Sequence, residues 1–327
     1  MLAVSLIIAA LIIAGTVSII LMFKQLEVQP IMASDVKSEA LSFVKNVLPI
    51  DTSQYNMTLK RFVAQPPSSQ GLVTNALLIA VAQEFVTYNL NSKDSSIDVY
   101  CAFTDNSLSN CYIYIEKGSI TGQSYSSNLN AAKDFLEKYQ DYSGLNSTEM
   151  INMLSNADPT KNSTKTSGNL SLTIKNQDSS DNIIGGMTDF RWEITINGCN
   201  YPALEVSFSN GFLYSLIDQR ALYSTSSTTV NISKEKAIDI AMQSVGNYSY
   251  QMPNGAWVSG FQIKSSEATL VPLVRYSNSL YPCWQVKLYA DKMYPGSVNG
   301  FWVSIWADNG QVYSINGMEY YTPSGNA

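Results

Sequence analysis

The stretch ISKEKAIDIAMQSVG, residues 232–246, decides the fold class because it predicts an amphipathic helix placed directly ahead of a series of strands. Ser233 is suited to cap the first turn, Glu235 lies within that turn, and Gly246 ends the helix. Apolar residues recur at helical spacing, which gives the helix one face to bury. That face carries Ala237, Ile238, Ala241, Met242 and Val245.

Strand-like sequence follows this helix almost to the end of the chain. The runs are rich in β-branched and aromatic residues, which favour strands. They lie at residues 268–276, 283–290, 300–307 and 311–315. An Asp-Asn-Gly sequence at 308–310 supplies a turn between the last two runs. A helix followed by consecutive strands predicts an α+β unit.

The same order of helix and strands recurs earlier in the chain, which indicates a duplication. A second helix is predicted at 129–139. Its strands align with those of the later unit. The Tyr-Pro pair at 201–202 aligns with the Tyr-Pro pair at 281–282, and the Asn-Gly-Phe sequence at 210–212 aligns with the same sequence at 299–301. We therefore predict that the second and third units are copies of one module.

A fainter copy precedes these two units. Its helix begins near Ser34 and is halted by Pro49, and strands are predicted at 85–90, 97–103 and 111–115. The whole chain is thus predicted to be α+β, with tandem units behind one N-terminal transmembrane helix. The predicted boundaries are an anchor at 1–23, a linker at 24–33, and units at 34–125, 126–229 and 230–323.

Over residues 230–316 the third unit resembles a PepSY domain, and the preceding unit resembles a diverged copy of the same domain. The matching residues are Ile232, Ser233, Glu235, Ala237, Ile240, Ala241, Trp284, Val286, Asp308, Gly310 and Val312. The resemblance implies a helix packed on one face of an antiparallel sheet. Such modules occur in secreted and membrane-anchored proteins and in propeptides of some metallopeptidases, where an inhibitory or chaperone role is proposed. The family offers no catalytic residues to carry over.

Residues 2–23 carry no charge and are long enough, as a helix, to span a bilayer. We expect an uncleaved single-pass anchor that binds the chain to the membrane and leaves the C-terminal domain outside the cell. A cleaved signal peptide is the alternative. Glycosylation sequons on a polar, Ser/Thr/Asn-rich surface favour this orientation. They lie at Asn56, Asn146, Asn162, Asn169, Asn231 and Asn247.

The composition excludes several functions. Twenty Lys and Arg against 26 Asp and Glu give a net charge of −6, which argues against nucleic acid as a partner. The chain has no histidine, so imidazole-based catalysis and the common zinc sites are excluded. We expect no enzyme activity, no cofactor and no metal. The acidic residues Asp178, Asp181, Asp189, Asp291 and Asp308 do not follow the spacing of an EF-hand loop.

Aromatic side chains are the main candidates for ligand binding. Trp302 and Trp306 alternate on one face of a predicted strand whose other face is also apolar. A neighbouring unit can cover the second face, or the face can stay open as a platform for a peptide or glycan. The candidate platform comprises Trp284, Tyr289, Tyr294, Trp302 and Trp306.

The four cysteines are even in number and suit an oxidising compartment. Cys101 and Cys111 lie in adjacent predicted strands, and a bridge between Cys199 and Cys283 would tie the second unit to the third. Three connectivities are open, as are free buried thiols.

The leading functional hypothesis is a non-catalytic, extracellular, membrane-anchored binding or regulatory protein. Because the sequence ends soon after the third unit, modulation of a peptidase or another surface protein is expected to act in trans. One alternative is the subunit of a surface filament similar to archaeal type IV pilins, although no prepilin site is visible ahead of the apolar run. The other is a carboxylate-dependent hydrolase that uses Glu193 and Glu205.

Overall fold

The computed structural model describes residues 33–65, 73–74, 77–78, 83–155, 157–158, 161–177, 186–276 and 278–319. Within them the chain is a mixed α+β protein, mostly sheet with few helices, so the predicted fold class is confirmed at that level. The predicted anchor at 2–23 lies outside the described residues. Across the described part of the chain, no helix is long and apolar enough to cross a membrane.

The first segment begins with a helix that buries one face against strands. Val36, Ala40 and Phe43, at spacings of four and three residues, are fully buried on that face. The short β2 and β3 pair with each other. The described elements are α1 (Ala33–Asn46), β1 (Asn56–Gln65), β2 (Val73–Thr74), β3 (Leu77–Leu78), β4 (Gln83–Asn91), β5 (Ser96–Thr104) and β6 (Ser107–Lys117).

The second segment repeats this order with an additional helix. The side chain of Ser127 accepts a hydrogen bond from the backbone N–H of Asn130, and Gly144 closes the first helix in the left-handed conformation, at φ 69°. The described elements are α2 (Asn128–Ser143), α3 (Thr148–Leu154), β7 (Ser163–Ser167), β8 (Leu170–Gln177), β9 (Met187–Ile196), β10 (Cys199–Ser209), β11 (Phe212–Asp218), α4 (Gln219–Leu222) and β12 (Ser224–Thr225).

The third segment contains the helix predicted from residues 232–246. Ser233 caps it as predicted, because its hydroxyl accepts a hydrogen bond from the N–H of Lys236 at 3.2 Å. The described elements are α5 (Lys234–Gly246), β13 (Ser249–Gln251), β14 (Trp257–Ser259), β15 (Ile263–Tyr276), β16 (Ser279–Tyr294), β17 (Val298–Trp306) and β18 (Val312–Glu319).

Nine strands of the first two segments join into one antiparallel sheet. Its order is β1-β4-β5-β6-β11-β10-β9-β8-β7, so β6 of the first segment meets β11 of the second at a central seam. The pairing at the seam covers three residues on each strand, Asn110–Tyr112 on β6 and Ser215–Ile217 on β11. A single hydrophobic core, which includes residues of α1 and α2, runs beneath this sheet.

The third segment forms its own sheet, with β15, β16, β17 and β18 in sequence order and β12 added at one end of β16. Its core lies between this sheet and α5 and contains Ala241, Val286 and Phe301. A smaller cluster that includes Cys199, Tyr201 and Leu280 joins the two sheets.

The alignment of the second and third units paired the wrong strands. The Asn-Gly pair at 210–211 forms the turn between β10 and β11, with φ values of 53° and 81°, whereas the pair at 299–300 lies inside β17. The turn at 308–310, between β17 and β18, is the true counterpart. Successive strands of a meander share one alternating pattern, so local similarity does not say which strand corresponds to which.

A β-bulge confirms this strand-by-strand correspondence. In the final hairpin of each segment, one extra residue interrupts the register of the last strand soon after the turn. It is Ser109 in β6, Tyr214 in β11 and Tyr313 in β18. Two residues beyond each bulge stand Cys111, Leu216 and Ile315, which are therefore equivalent.

The start of each later helix lies against the same hairpin turn. The backbone N–H groups of Asn231 and Ile232 donate to the carbonyl of Ala307, at 2.8 and 2.9 Å. In the second segment, the side chain of Asn128 donates to the carbonyl of Phe208 at 3.1 Å. The helix and the final hairpin are thus fixed to each other in both segments.

The predicted disulfide bridges are absent from the structure. All four cysteines are buried free thiols. Cys101 and Cys111 are direct neighbours across β5 and β6, as the sequence suggested, but no S–S bond joins them. Burial raises the pKa of Cys199 to about 11 and that of Cys283 to about 12, so both thiols stay protonated at neutral pH.

Candidate functional site

Two of the five predicted ligand-binding aromatics serve the packing of α5 instead. The indole N–H of Trp284 donates to the carbonyl of Ile232 at 2.8 Å and so holds the start of α5. The Tyr294 hydroxyl accepts from the backbone N–H of Gln262 at 2.8 Å, and its ring centroid lies 5.0 Å from that of Phe261. Both side chains therefore belong to the helix side of the sheet.

The other three lie on the opposite face but differ in exposure. Trp302 is 37% exposed and has the Lys287 ammonium 4.5 Å from its ring centroid. Trp306 is 3% exposed and lies beneath the Arg275 guanidinium, 4.8 Å away. The Tyr289 hydroxyl donates to Glu267 at 3.2 Å. The five residues therefore do not form one continuous platform.

A tyrosine-rich surface lies instead on the nine-stranded sheet, on the face away from the helices. Tyr100, Tyr112 and Tyr114 are exposed there, and Tyr114 is 60% exposed. Tyr100 and Tyr112 are direct cross-strand neighbours. They alternate with the buried Cys101, Cys111 and Ile113, which face the helices. We call Tyr100, Tyr112 and Tyr114 the tyrosine face.

A buried carboxylate lies on the same face of the sheet as Tyr100 and is hydrogen-bonded to it. Asp98 is fully buried and accepts hydrogen bonds from Lys60 at 2.6 Å, Asn89 at 2.8 Å and Tyr100 at 3.0 Å. Burial alone would raise the pKa of Asp98, but these donors outweigh it and hold the pKa below its usual value. The bond to Asp98, together with burial, raises the pKa of Tyr100.

Lys60 also contacts Glu116 at 2.9 Å, and its bonds to the two carboxylates raise the pKa of Lys60 above its usual value. This cluster carries charge next to the tyrosines and fixes the orientation of Tyr100.

A cleft of about 390 Å³ opens beside the tyrosine face, where β6 and β11 diverge beyond the seam. It is lined by Ile113, Tyr114, Ile115, Ser119, Ile120, Ser209, Asn210, Phe212, Leu213 and Tyr214. None of these side chains is charged. The cleft is therefore suited to an uncharged, largely apolar segment.

The bulge and the turn of the last hairpin shape one wall of this cleft. Tyr214 is the bulged residue of β11, and Asn210 belongs to the turn before it. A Cβ atom on Gly211 would lie 3.4 Å from the ring of Tyr125, so the turn packs closely on the segment that precedes α2. The Tyr125 hydroxyl is hydrogen-bonded to Asp134 of α2. The wall is thus anchored to the core.

The acidic candidates are engaged in ordinary contacts. Glu205 accepts a hydrogen bond from the Arg191 guanidinium at 2.9 Å, which places a cation beside the predicted catalytic pair. Glu193 lies opposite Pro202 and not opposite Glu205.

The acidic residues considered for a metal site are also spread apart. Asp189 accepts from Ser207 at 2.6 Å, Asp291 from Tyr294 at 3.1 Å and Asp308 from Arg275 at 2.7 Å. Asp178 and Asp181 lie outside the described residues. Over the described ranges, no group of three or more Cys, Asp or Glu residues is arranged to hold a metal ion.

All six sequon asparagines lie at exposed positions. In Asn231 and Asn247 the side-chain amide also donates to a backbone carbonyl, of Asp308 at 2.9 Å and of Gln243 at 3.2 Å.

Sequence reasoning missed both the tyrosine face and the cleft. The available signal was the alternation of tyrosines with buried residues in β5 and β6. The cleft had no such signal, because it depends on how β6 meets β11, a strand about a hundred residues away in the chain.

No protein-family model and no curated protein matches this chain. Among solved structures, the Bacillus megaterium YpeB C-terminal domain is similar at 10% sequence identity and a TM-score of 0.30. The match covers 90% of this chain and 99% of that chain.

Proposed function

We propose that this chain is a non-catalytic binding protein that captures an extended, uncharged segment of a protein partner in the cleft between β6 and β11. One observation carries the proposal: two strands of a sheet diverge around an apolar cleft that borders exposed tyrosines. Diverging strands leave backbone N–H and C=O groups free to pair with an added strand.

The lining suggests what the segment looks like. Ile113 and Leu213 offer apolar surface toward the core, whereas Tyr114 lies on the solvent face. An added strand points alternate side chains to the two faces, so we expect apolar residues at every second position. Tyrosine gives a large contact area at a low cost in conformational entropy, and its hydroxyl can still bond to the partner.

The wider setting belongs to the same proposal. The uncharged run at 2–23 and the six exposed sequons support a membrane-anchored domain on the outside of the cell. Likeness of the third unit to PepSY domains supports a regulatory role, with a peptidase or another surface protein as the partner in trans.

The test uses the full chain in detergent and fluorescent heptapeptides that alternate Val or Tyr with Ser or Thr. Binding is measured by anisotropy. We expect Tyr114→Ser to weaken binding at least tenfold, while the matched control Tyr313→Ser, at an exposed tyrosine of the other sheet, leaves it unchanged. Peptides N-methylated at alternate residues should lose binding in both registers, since successive N–H groups of a strand inserted in the cleft point alternately to β6 and to β11.

Three results would contradict the proposal. Binding that ignores both Tyr114→Ser and N-methylation would exclude strand addition in the cleft. Reproducible hydrolysis of peptides, esters or glycosides that is lost in Glu205→Gln would favour the hydrolase, and fibres in detergent-free preparations would favour the filament subunit.

A further inference from the structure

The seam between β6 and β11 has two-fold symmetry at the level of single residues. Cys111 lies directly opposite its equivalent, Leu216, and Tyr112 lies opposite Ser215. Asn110 lies opposite Ile217, which completes the symmetric set. The first two segments therefore meet as two copies of one module do across a two-fold axis.

The helices above the seam follow the same arrangement. The ring of Phe43 in α1 lies 6.4 Å from that of Phe135 and 6.3 Å from that of Tyr139, both in α2. The Tyr142 hydroxyl donates to the carbonyl of Glu39 at 3.2 Å. α1 and α2 thus pack against each other, and this contact joins the two segments in addition to the pairing of β6 with β11.

The third segment has the same final strand without such a neighbour among the described residues. β18 is the end strand of its sheet. Residues 312–319 contain no Lys, Arg or Pro, the residues that commonly protect an edge from pairing. The longer edge strands of the two large sheets do contain them: Lys60 in β1, Lys165 in β7 and Pro272 in β15.

The helix of the third segment exposes a position whose equivalent in the second segment is buried. Met242 stands nine residues after the cap Ser233, as Leu136 does after the cap Ser127. Leu136 is fully buried, whereas Met242 is 42% exposed. The edge of β18 and the surface of α5 around Met242 are therefore both suited to bind a partner, as the equivalent surfaces of the first two segments bind each other.

We propose that the missing half is a second copy of this chain, which pairs its β18 antiparallel with β18 of the first. Ile315, the equivalent of Cys111 and Leu216, lies on the two-fold axis opposite itself. Ser314 then lies opposite Asn316 of the other copy, and Met242 packs against the facing α5. The internal seam supplies the geometry for both contacts.

The test uses two versions of the full chain in detergent, Ser314→Cys and Asn316→Cys, with different tags. Directly paired residues of antiparallel strands lie about 4.5–5.5 Å apart, within reach of a disulfide. Under mild oxidation, mixed chains should yield at least tenfold more covalent dimer than either variant alone. Adding Met242→Glu to both should reduce that yield at least tenfold, while Met293→Glu, at another exposed methionine, should not change it.

If the chains associate through residues 2–23 alone, the particle mass rises but the disulfide between the Ser314→Cys and Asn316→Cys chains is not favoured. This result would overturn the proposal. Equal yields in mixed and unmixed samples would do the same. If another protein or another segment of this chain occupies the edge, little mixed dimer forms, and the proposal fails. If Met242→Glu does not reduce the dimer yield, the proposed contact between the two α5 helices is wrong.

Discussion

Trp302 and Trp306 are four residues apart on one face of β17, yet their surroundings differ. Trp306 lies between the Arg275 guanidinium and the ring of Tyr313, whose centroid is 5.2 Å away. Trp302 is 37% exposed and has the Lys287 ammonium over its ring. One sequence pattern therefore contains a core residue and a surface residue, because the covering groups come from other strands.

Trp306→Ala is expected to destabilise the protein by about 3–5 kcal/mol through lost burial and a cavity. Trp302→Ala should cost less than Trp306→Ala, because the Trp302 side chain is already 37% exposed and its removal leaves less lost burial besides the cation–π contact. Chemical denaturation of the two variants measures the difference. Equal losses would mean that both tryptophans are core residues.

Asp98 predicts a pH dependence of stability. Its pKa is lowered on folding, so the group stabilises the folded state above the unfolded value of 3.8. That contribution is lost as the pH falls through the lower folded value. Asp98→Asn should therefore be less stable than the wild type at pH 7, and the gap should shrink below about pH 4. Denaturation midpoints measured from pH 7 to pH 2 test this, and a constant gap would contradict it.

At the scale of elements, each later helix begins on the final hairpin of its own unit. The carbonyl of Ala307 accepts two backbone N–H groups from the residues ahead of α5. Gly310 in the adjoining turn has φ 75°, and a Cβ there would lie 3.2 Å from Ile240 and 3.3 Å from Ile232. The glycine thus satisfies both a left-handed turn and close packing against the helix.

Gly310→Ala should therefore lower the free energy of unfolding by more than the backbone strain of a positive φ alone would. Gly168→Ala is the matched control, since Gly168 also has a positive φ, 59°, but no atom within 4 Å of its Cβ position. We expect about 1–2 kcal/mol for the control and a further ~1–3 kcal/mol at Gly310 from overpacking. If equilibrium unfolding shows the same loss of stability for Gly310→Ala and Gly168→Ala, then α5 shifts to accommodate the added methyl group without a measurable cost.

At the scale of the whole molecule, the three segments form two cores. The first two share the nine-stranded sheet and one continuous core, while the third has its own. A small cluster around Cys199 and Leu280 connects them. Since cooperative unfolding follows shared core contacts, we expect two cooperative units and not three.

Native-state hydrogen exchange distinguishes these arrangements. Leu216→Ala, at the seam, should cost about 2–5 kcal/mol and lower amide protection in β4–β6 and β8–β11 together, while leaving β15–β17 protected. The matched variant Leu288→Ala, in the other core, should have the reverse effect. Loss of protection in β8–β11 alone after Leu216→Ala would mean that the first two segments unfold separately.

Part of the candidate site was accessible from the sequence, since alternation alone places Tyr100, Tyr112 and Tyr114 on one face of their strands. The strand-to-strand correspondence was not accessible. The Asn-Gly pair at 299–300 matched the pair at 210–211 in sequence, although only the latter forms a turn. The sequence likewise placed Cys101 beside Cys111 but did not determine the redox state of the pair.

The α+β class, the helix at 234–246 with its cap and most strands of the third unit can be predicted from the sequence, because they follow from local periodicity, capping and turn residues. Three further features became visible in the folded chain: the first two units share one sheet, β6 and β11 diverge around a cleft, and β18 ends its sheet. Those features depend on which strand edges meet across about a hundred residues. Edge pairing is carried by backbone groups that every residue possesses, so side-chain patterns do not encode it locally.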